Sequence, residues 1–395
     1  VGFVVGGMTT DSDARKRKPF RFLKRETTKR PEVEPAPVPA GSLSPNSVEV
    51  RRAVPVDEGR AYAITTPNEQ ARFLAGQSGR ASSYAALRST AYWRNHAYQM
   101  DIRWKRASGR LGSIRSWQRG ALAGVPAAGN TVFYPFGGPD FLYAHSFFPN
   151  ARTYLLCGLE PVGSVPNLNA MSDGELNFAL QGLQTSIASS LDYSYFITKD
   201  MRVDLSRTKL RGVLPVLLVY LARTGHTIHA VEAVGMTSSG EIAASSKGGD
   251  GIRIRCSTSF GTSRTVCYFR TDLSNSGGDR FHRLMAAHRP GVTFIKSASY
   301  LLHSGGFSKT RAAIERYSEA IVQDPSGIPY KYLIDGEWNI RLHGNYEGTL
   351  DMFRRYYQAD LHGAYQRSGG TRLGFGVGYR FDPSVSSLLV ARKSY

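Results

Sequence analysis

The chain has 395 residues, 41% hydrophobic and 21% charged, with 50 Lys+Arg against 31 Asp+Glu for a net charge of +19. This excludes a collagen-like, wholly disordered or disulfide-stapled protein. The longest apolar run, Leu214–Ala222, is far short of the roughly 20 residues a membrane-spanning helix needs.

The charge is uneven along the chain. Residues 71–130 hold 10 basic side chains and one acid, Asp101, while the much longer 131–395 stretch is only +7. Arguments about an anionic partner therefore belong to 71–130. Residues 1–70 read as a disordered arm, with Arg15–Lys18 and Arg30 followed by Pro31, Pro35, Pro37, Pro39 and Pro45. The opening Val1–Gly7 before Met8 reads as an unusual start or as the end of a longer apolar segment, which leaves export open.

Residues 82–107 read as one helix, capped by Ser82 or Ser83 and ended before Gly109. Trp93, Ala97, Met100 and Trp104 make its apolar stripe, and Arg88, Arg94, Arg103, Lys105 and Arg106 fill much of the rest. Two readings stand: a helix that docks its tryptophans on the following domain, or a surface for nucleic acid or an anionic membrane.

From residue 131 the pattern becomes α/β. Thr131–Phe136 is a strand, Gly137-Gly138-Pro139-Asp140 a turn, Phe141–Phe148 a helix with Gly138 as cap and Pro139 as first residue, and Thr153–Leu159 a second, parallel strand. Ser172-x-x-Glu175 is a capping box opening a helix lined by Leu176, Leu180, Leu183, Ile187 and Leu191. A helix over 214–223 and strands over 227–234, 253–257 and 265–271 follow, the last running into Asp272. A helix is expected over 279–288, a strand over 292–302 and a helix over 308–323. Asp335-Gly336 between 330–334 and 337–342 reads as a type I′ hairpin, followed by a helix over 349–365 and a strand over 373–380. The fold class is thus a three-layer, mostly parallel Rossmann-like α/β sheet over 131–395, with antiparallel strands near the C-terminal end.

Cys157, Cys256 and Cys267 make no metal-ligand spacing. A two-residue turn at Gly261-Thr262 would set Cys256 opposite Cys267 in a geometry poor for a bridge. Read as free buried thiols, they favour a reducing, cytoplasmic setting. No metal site is expected: His226 and His229 point to opposite faces of a strand, and His282 and His288 to different faces of a helix. No nucleophile elbow, P-loop or H-E-x-x-H is present, so no catalytic residue is assigned. Lys296, His303 and Asp324 are left as unpartnered candidates.

An open α/β sheet binds ligands at the carboxyl ends of its strands. Glu160 ends the second strand 20 residues after Asp140, about the spacing of a ribose-binding acid in a dinucleotide fold. Pro139 removes an amide donor and Asp140 adds a negative charge, so the turn suits a ligand with hydroxyls or a cationic group better than a phosphate. The order of strand, glycine turn, helix, strand ending in Glu160, later strand ending in Asp272, helix, strand and terminal antiparallel pair resembles the class I S-adenosylmethionine-dependent methyltransferase fold over roughly 131–382. That family's glycine signature departs here to Gly137-Gly138-Pro139-Asp140. The resemblance implies S-adenosylmethionine as cofactor, with Gly137, Gly138, Asp140, Glu160 and Asp272 around it. The run YPFGGPDFLYAHSFFP…GLEPVG also resembles a block of uncharacterised bacterial proteins, which implies no activity. The competing expectation is a non-catalytic scaffold that meets an anionic partner through residues 71–130.

Overall fold

Strands such as TYLLCG and GVTFI, with almost no polar interruption, are suited to burial on both faces and so to the middle of a parallel sheet. The computed structural model describes residues 66–79, 84–125, 131–196, 208–245, 249–334 and 337–394. Its strands are β1 (Thr131–Tyr134), β2 (Thr153–Gly158), β3 (Thr227–Met236), β4 (Ile242–Ala244), β5 (Gly251–Ser257), β6 (Ser263–Arg270), β7 (Gly291–Ile295), β8 (Ser318–Gln323), β9 (Trp338–Gly344) and β10 (Ser387–Lys393). They form one sheet in the order β4-β3-β5-β6-β2-β1-β7-β8-β10-β9. The central β6, β2, β1, β7 and β8 are parallel. Antiparallel strands extend both flanks, β5-β3-β4 on one side and β10-β9 on the other. After β2 the chain crosses to β3 and β4 at one end of the sheet, comes back through β5 to β6 beside β2, and then passes to the other side of β1 as β7, so strand order reverses at β1/β7.

The period of two along each strand divides the core. Val132, Tyr134, Leu156, Phe294 and Val322 face one layer, packed with helices α1 (Pro67–Leu74), α3 (Ala91–Ala121), α4 (Phe141–Phe147), α5 (Asp173–Tyr193) and 214–223; α2 (Ala85–Ser89) precedes α3. Phe133, Leu155, Cys157, Ile295 and Ile321 face the other, with Phe281, Leu284, Ile314, Leu361 and Tyr365. The expected three-layer α/β architecture is therefore present, and no helix among the described residues is long and apolar enough to cross a membrane.

Several elements end elsewhere than local pattern suggests. The expected 82–107 helix is two: Thr90 caps α3 by accepting from Trp93 N, and α3 runs through Gly109 and Gly112 to Ala121. Each glycine costs about 1 kcal/mol in a helix, but Met100, Ala107, Leu111 and Ile114 continue the buried stripe across them. Helix α4 starts at Phe141 as expected, but its cap is Asp140, not Gly138, and accepts from Tyr143 N. Strand β7 stops at Ile295, and Ser297, Ser299 and Tyr300 turn with positive φ. The 308–323 segment is a helix only to Tyr317; SEAIVQ is β8, buried beside β7. Lys331–Ile334 is a helical turn, and β9 pairs with β10, so the 330–342 hairpin does not form; Asp335 and Gly336 lie outside the described residues. The 349–365 helix is a 3₁₀ segment, Asp351–Tyr356, then a helix, Ala359–Ser368. Residues 373–380 form no strand, and the closing strand is β10. Cys256 lies opposite Arg264 and Cys267 opposite Arg253, because five residues, 258–262, join β5 to β6. All three cysteines are free and buried, as expected, and burial pushes the Cys256 and Cys267 thiols up to about 12. The 1–65 part of the arm lies outside the described residues, and α1 begins at Pro67, before the boundary expected at residue 70.

Candidate functional site: a cleft where strand order reverses

The turn after β1 is pinned to β2: Gly138 N donates to Cys157 O at 3.1 Å, with Gly138 at φ +55°. Asp140 then caps α4, fully buried at 1% exposure. Its Oδ2 accepts from Tyr134 Oη at 2.8 Å and pairs with Lys296 Nζ at 2.9 Å. Burial raises the Asp140 carboxyl above its ordinary range, against the pull of Lys296. The Lys296 ammonium also donates to Ser194 O and lies 4.4 Å from the centre of the Tyr143 ring. One buried cation thus joins the end of β7, the turn after β1 and the end of α5.

Glu160 follows β2 and is 5% exposed. Tyr268 Oη donates to its carbonyl at 2.8 Å and to Oε2 at 3.1 Å. The carboxylate folds back over Gly158. A Cβ at Gly158 would sit 3.0 Å from Gly138 Cα, 2.9 Å from Tyr268 Oη and closer still to Glu160 Oε2. A glycine is required there by close approach.

Gly137, Gly138, Asp140 and Glu160 line one cleft with Tyr134, Phe136, Pro139, Tyr195, Phe196, Lys296 and Ser297. Four of the five expected residues are brought together. Asp272 is not among them: it is exposed, and its carboxylate accepts from Ser274 N and Oγ, both at 2.8 Å, closing its own turn beyond β6. The reason is lateral: β2 lies between β6 and β1, and only Tyr268, two residues before the end of β6, reaches Glu160.

Backbone strain concentrates at the same place. Phe136, Ser194, Ser297, Ser299 and Tyr300 are the non-glycine residues with positive φ among the described residues. Phe136 and Ser297 line the cleft, Ser194 precedes its Tyr195 wall, and Ser299 and Tyr300 continue the Ser297 turn. Such conformations cost about 1–3 kcal/mol each and persist where surrounding contacts impose them. Asp324 supplies one such contact, accepting from Ser297 N at 2.8 Å. It also accepts from Ser326, and burial raises its carboxyl. Tyr379 Oη donates to Ser297 O at 2.9 Å.

Asp324, unpartnered at the sequence level, thus supports the site from behind. His303 packs on Tyr300 outside the cleft lining, and burial lowers its imidazole to about 4. Ser297, Tyr195 and the Lys296–Asp140 pair were not signalled by any motif; the one local hint is the polar, small-residue Lys296–Ser299 stretch following an apolar strand. His145 and His226 lie 4.8 Å apart, ring to ring, and no group of three potential metal ligands exists among the described residues.

Electrostatically, Lys296 and Asp140 neutralise each other, while Glu160 has no cationic partner among the described residues. The cleft is therefore suited to hydroxyl donors or a cation and poorly suited to a phosphate. On α3, by contrast, the tryptophans are packing groups. Trp93 is 7% exposed, and Trp117 meets His343, Phe375 and Phe147 edge-on at 5.0, 5.7 and 5.8 Å. No known protein family, curated protein or solved structure matches the chain.

Proposed function

We propose that the cleft binds a nucleoside-type small ligand, in the manner of a class I methyltransferase-like enzyme, with S-adenosylmethionine the first cofactor to test. The observation that carries this reading is Glu160. Among the described residues its buried carboxylate receives one side-chain hydrogen bond, from Tyr268, and it lies beside Gly138 at the carboxyl ends of β1 and β2. A carboxylate has about four acceptor positions, and a ribose presents paired hydroxyls to fill them. The strand order β6-β2-β1-β7-β8-β10-β9, with antiparallel β10 inserted before β9, supports the reading because it resembles that family's sheet. The Gly137–Asp140 turn departs from the family's signature, and Asp140 occupies the helix cap itself. The test is calorimetric titration of the full chain with S-adenosylmethionine, S-adenosylhomocysteine and adenosine. Binding in the micromolar range, weakened at least tenfold in Glu160→Gln, is expected; no heat with any of the three at millimolar concentration overturns the reading.

A second reading rests on α3, where Arg94, Lys105, Arg106, Arg115 and Arg119 are exposed without an acidic partner among the described residues. Here the protein is a scaffold and α3 engages an anionic partner such as nucleic acid by charge alone. Binding to a nucleic-acid duplex that falls steeply with salt, and flattens in an Arg106→Ala/Arg115→Ala/Arg119→Ala variant, is the expected result. Binding equal in both proteins sinks it.

A further inference from the structure

Ser297 combines three features that packing does not require. It is a non-glycine residue at φ +55°, a conformation that glycine adopts without the steric cost serine pays. Both its backbone polar groups are held, N–H by Asp324 and carbonyl by Tyr379. Its hydroxyl oxygen is buried yet has no hydrogen-bond partner, and the residue lines the cleft with Glu160 and Gly138. A buried hydroxyl left unpaired costs stability unless something else pairs with it.

Strain is thus maintained at the residue whose side chain is unsatisfied. Lys296, the neighbouring residue, is engaged by Asp140 and Ser194, so among the described residues no cation lining the cleft is free to pair with an anionic ligand. Glu160 and Ser297 are cleft side chains with unfilled hydrogen-bonding capacity among the described residues, one an acceptor, the other donor and acceptor.

We propose that Ser297 is a ligand-contacting residue, presented by its strained turn, and that it and Glu160 together take a hydroxyl-bearing, unphosphorylated ligand. This deepens the nucleoside reading and rests on the same cleft, but does not need the ligand's base. Ligand polyhydroxylation satisfies both groups, whereas a phosphate would face the Glu160 charge with no free cation among the described residues to offset it.

The test uses the full chain, ligand-observed NMR, and four probes: adenosine, D-ribose, glycerol and ADP. Wild type is expected to bind adenosine, with ADP at least tenfold weaker. Ser297→Ala and Ser297→Gly are each expected to bind about tenfold more weakly than wild type, the effect of one lost buried hydrogen bond. The glycine variant, relieved of strain, is expected to melt about 1–2 °C above the alanine variant, which separates the backbone from the hydroxyl. If ribose or glycerol binds but adenosine does not, the nucleoside reading fails while a loss in Ser297→Ala upholds the serine contact. Equal binding by wild type and Ser297→Ala, ADP binding as well as adenosine, or no binding by any probe overturns the proposal.

Discussion

The cleft and the outer face of α3 hold charge in opposite ways. Around the cleft there are few charges, but Asp140, Lys296, Asp324 and Glu160 are each 5% exposed or less, and each is placed by named hydrogen bonds. On α3 there are many, but Arg94, Lys105, Arg106, Arg115 and Arg119 stand in water. Only Arg103 and Arg110 are drawn inward, to Asp192 and to the carbonyls at the end of α5, where the helix dipole favours a cation. A buried charge costs several kcal/mol and needs partners, whereas a solvated one costs almost nothing and needs none. The density of charge in a sequence is therefore a poor guide to a built site.

That contrast can be broken first at Lys296. Lys296→Met leaves Asp140 buried without its cation and is expected to destabilise by about 3–5 kcal/mol in urea unfolding, with Lys296→Met/Asp140→Leu recovering most of the loss. A cost below about 1 kcal/mol would mean that Asp140 is already protonated and that the pair does not hold the turn. Next in size is Gly158→Ala, which drives a methyl against Gly138 and Glu160; about 1–3 kcal/mol of stability is expected to go, together with ligand binding.

Acid separates the two regions by sign. On the buried face of α3, His96 lies 2.8 Å from Leu74 O and 2.8 Å from Gln184 Nε2, and burial lowers its imidazole to about 4. The unfolded chain takes up that proton near pH 6.5, so the stability tied to neutral His96 is full above 6.5 and is lost as pH falls toward 4. About 2 kcal/mol is expected to go between pH 6.5 and 5, and the slope should be shallower in His96→Gln. Asp140 and Asp324 act the other way. Their carboxyls are raised by burial, so their contribution is full at low pH and lost as pH rises through their folded values. The smallest effect belongs to the outer face of α3: Lys105→Ala or Arg106→Ala is expected to change stability by less than about 0.5 kcal/mol in the same measurement.

The candidate site was half legible from residues alone. Gly138 and Glu160 could be found because they sit at strand ends, where alternating strand and helix patterns already place a crevice. Ser297, and the pairing of Lys296 with Asp140, could not, because VTFIKSASYLL reads as one continuous strand, and only the positive φ of Ser297, Ser299 and Tyr300 ends it at Ile295. Asp272 was misplaced for a related reason: lying at a strand end does not say which neighbouring strand comes between it and the crevice.

Local chemistry by itself determined those elements whose signals lie within a few residues. The Ser172–Glu175 capping box opens α5, Leu214–Arg223 is a helix at its expected bounds, and the apolar runs of β1, β2 and β7 make a buried parallel centre. Tertiary structure alone decided whether SEAIVQ continues a helix or becomes β8, because the answer lies in β7 on one side and in Leu389–Arg392 on the other. It also decided that Trp338–Gly344 pairs with a strand over 40 residues later and not across Asp335-Gly336, and that Lys296 meets Asp140. Partners that distant in sequence leave no periodic trace, and the hydrogen bonds and buried charges they supply outweigh the few tenths of a kcal/mol per residue that local propensity contributes.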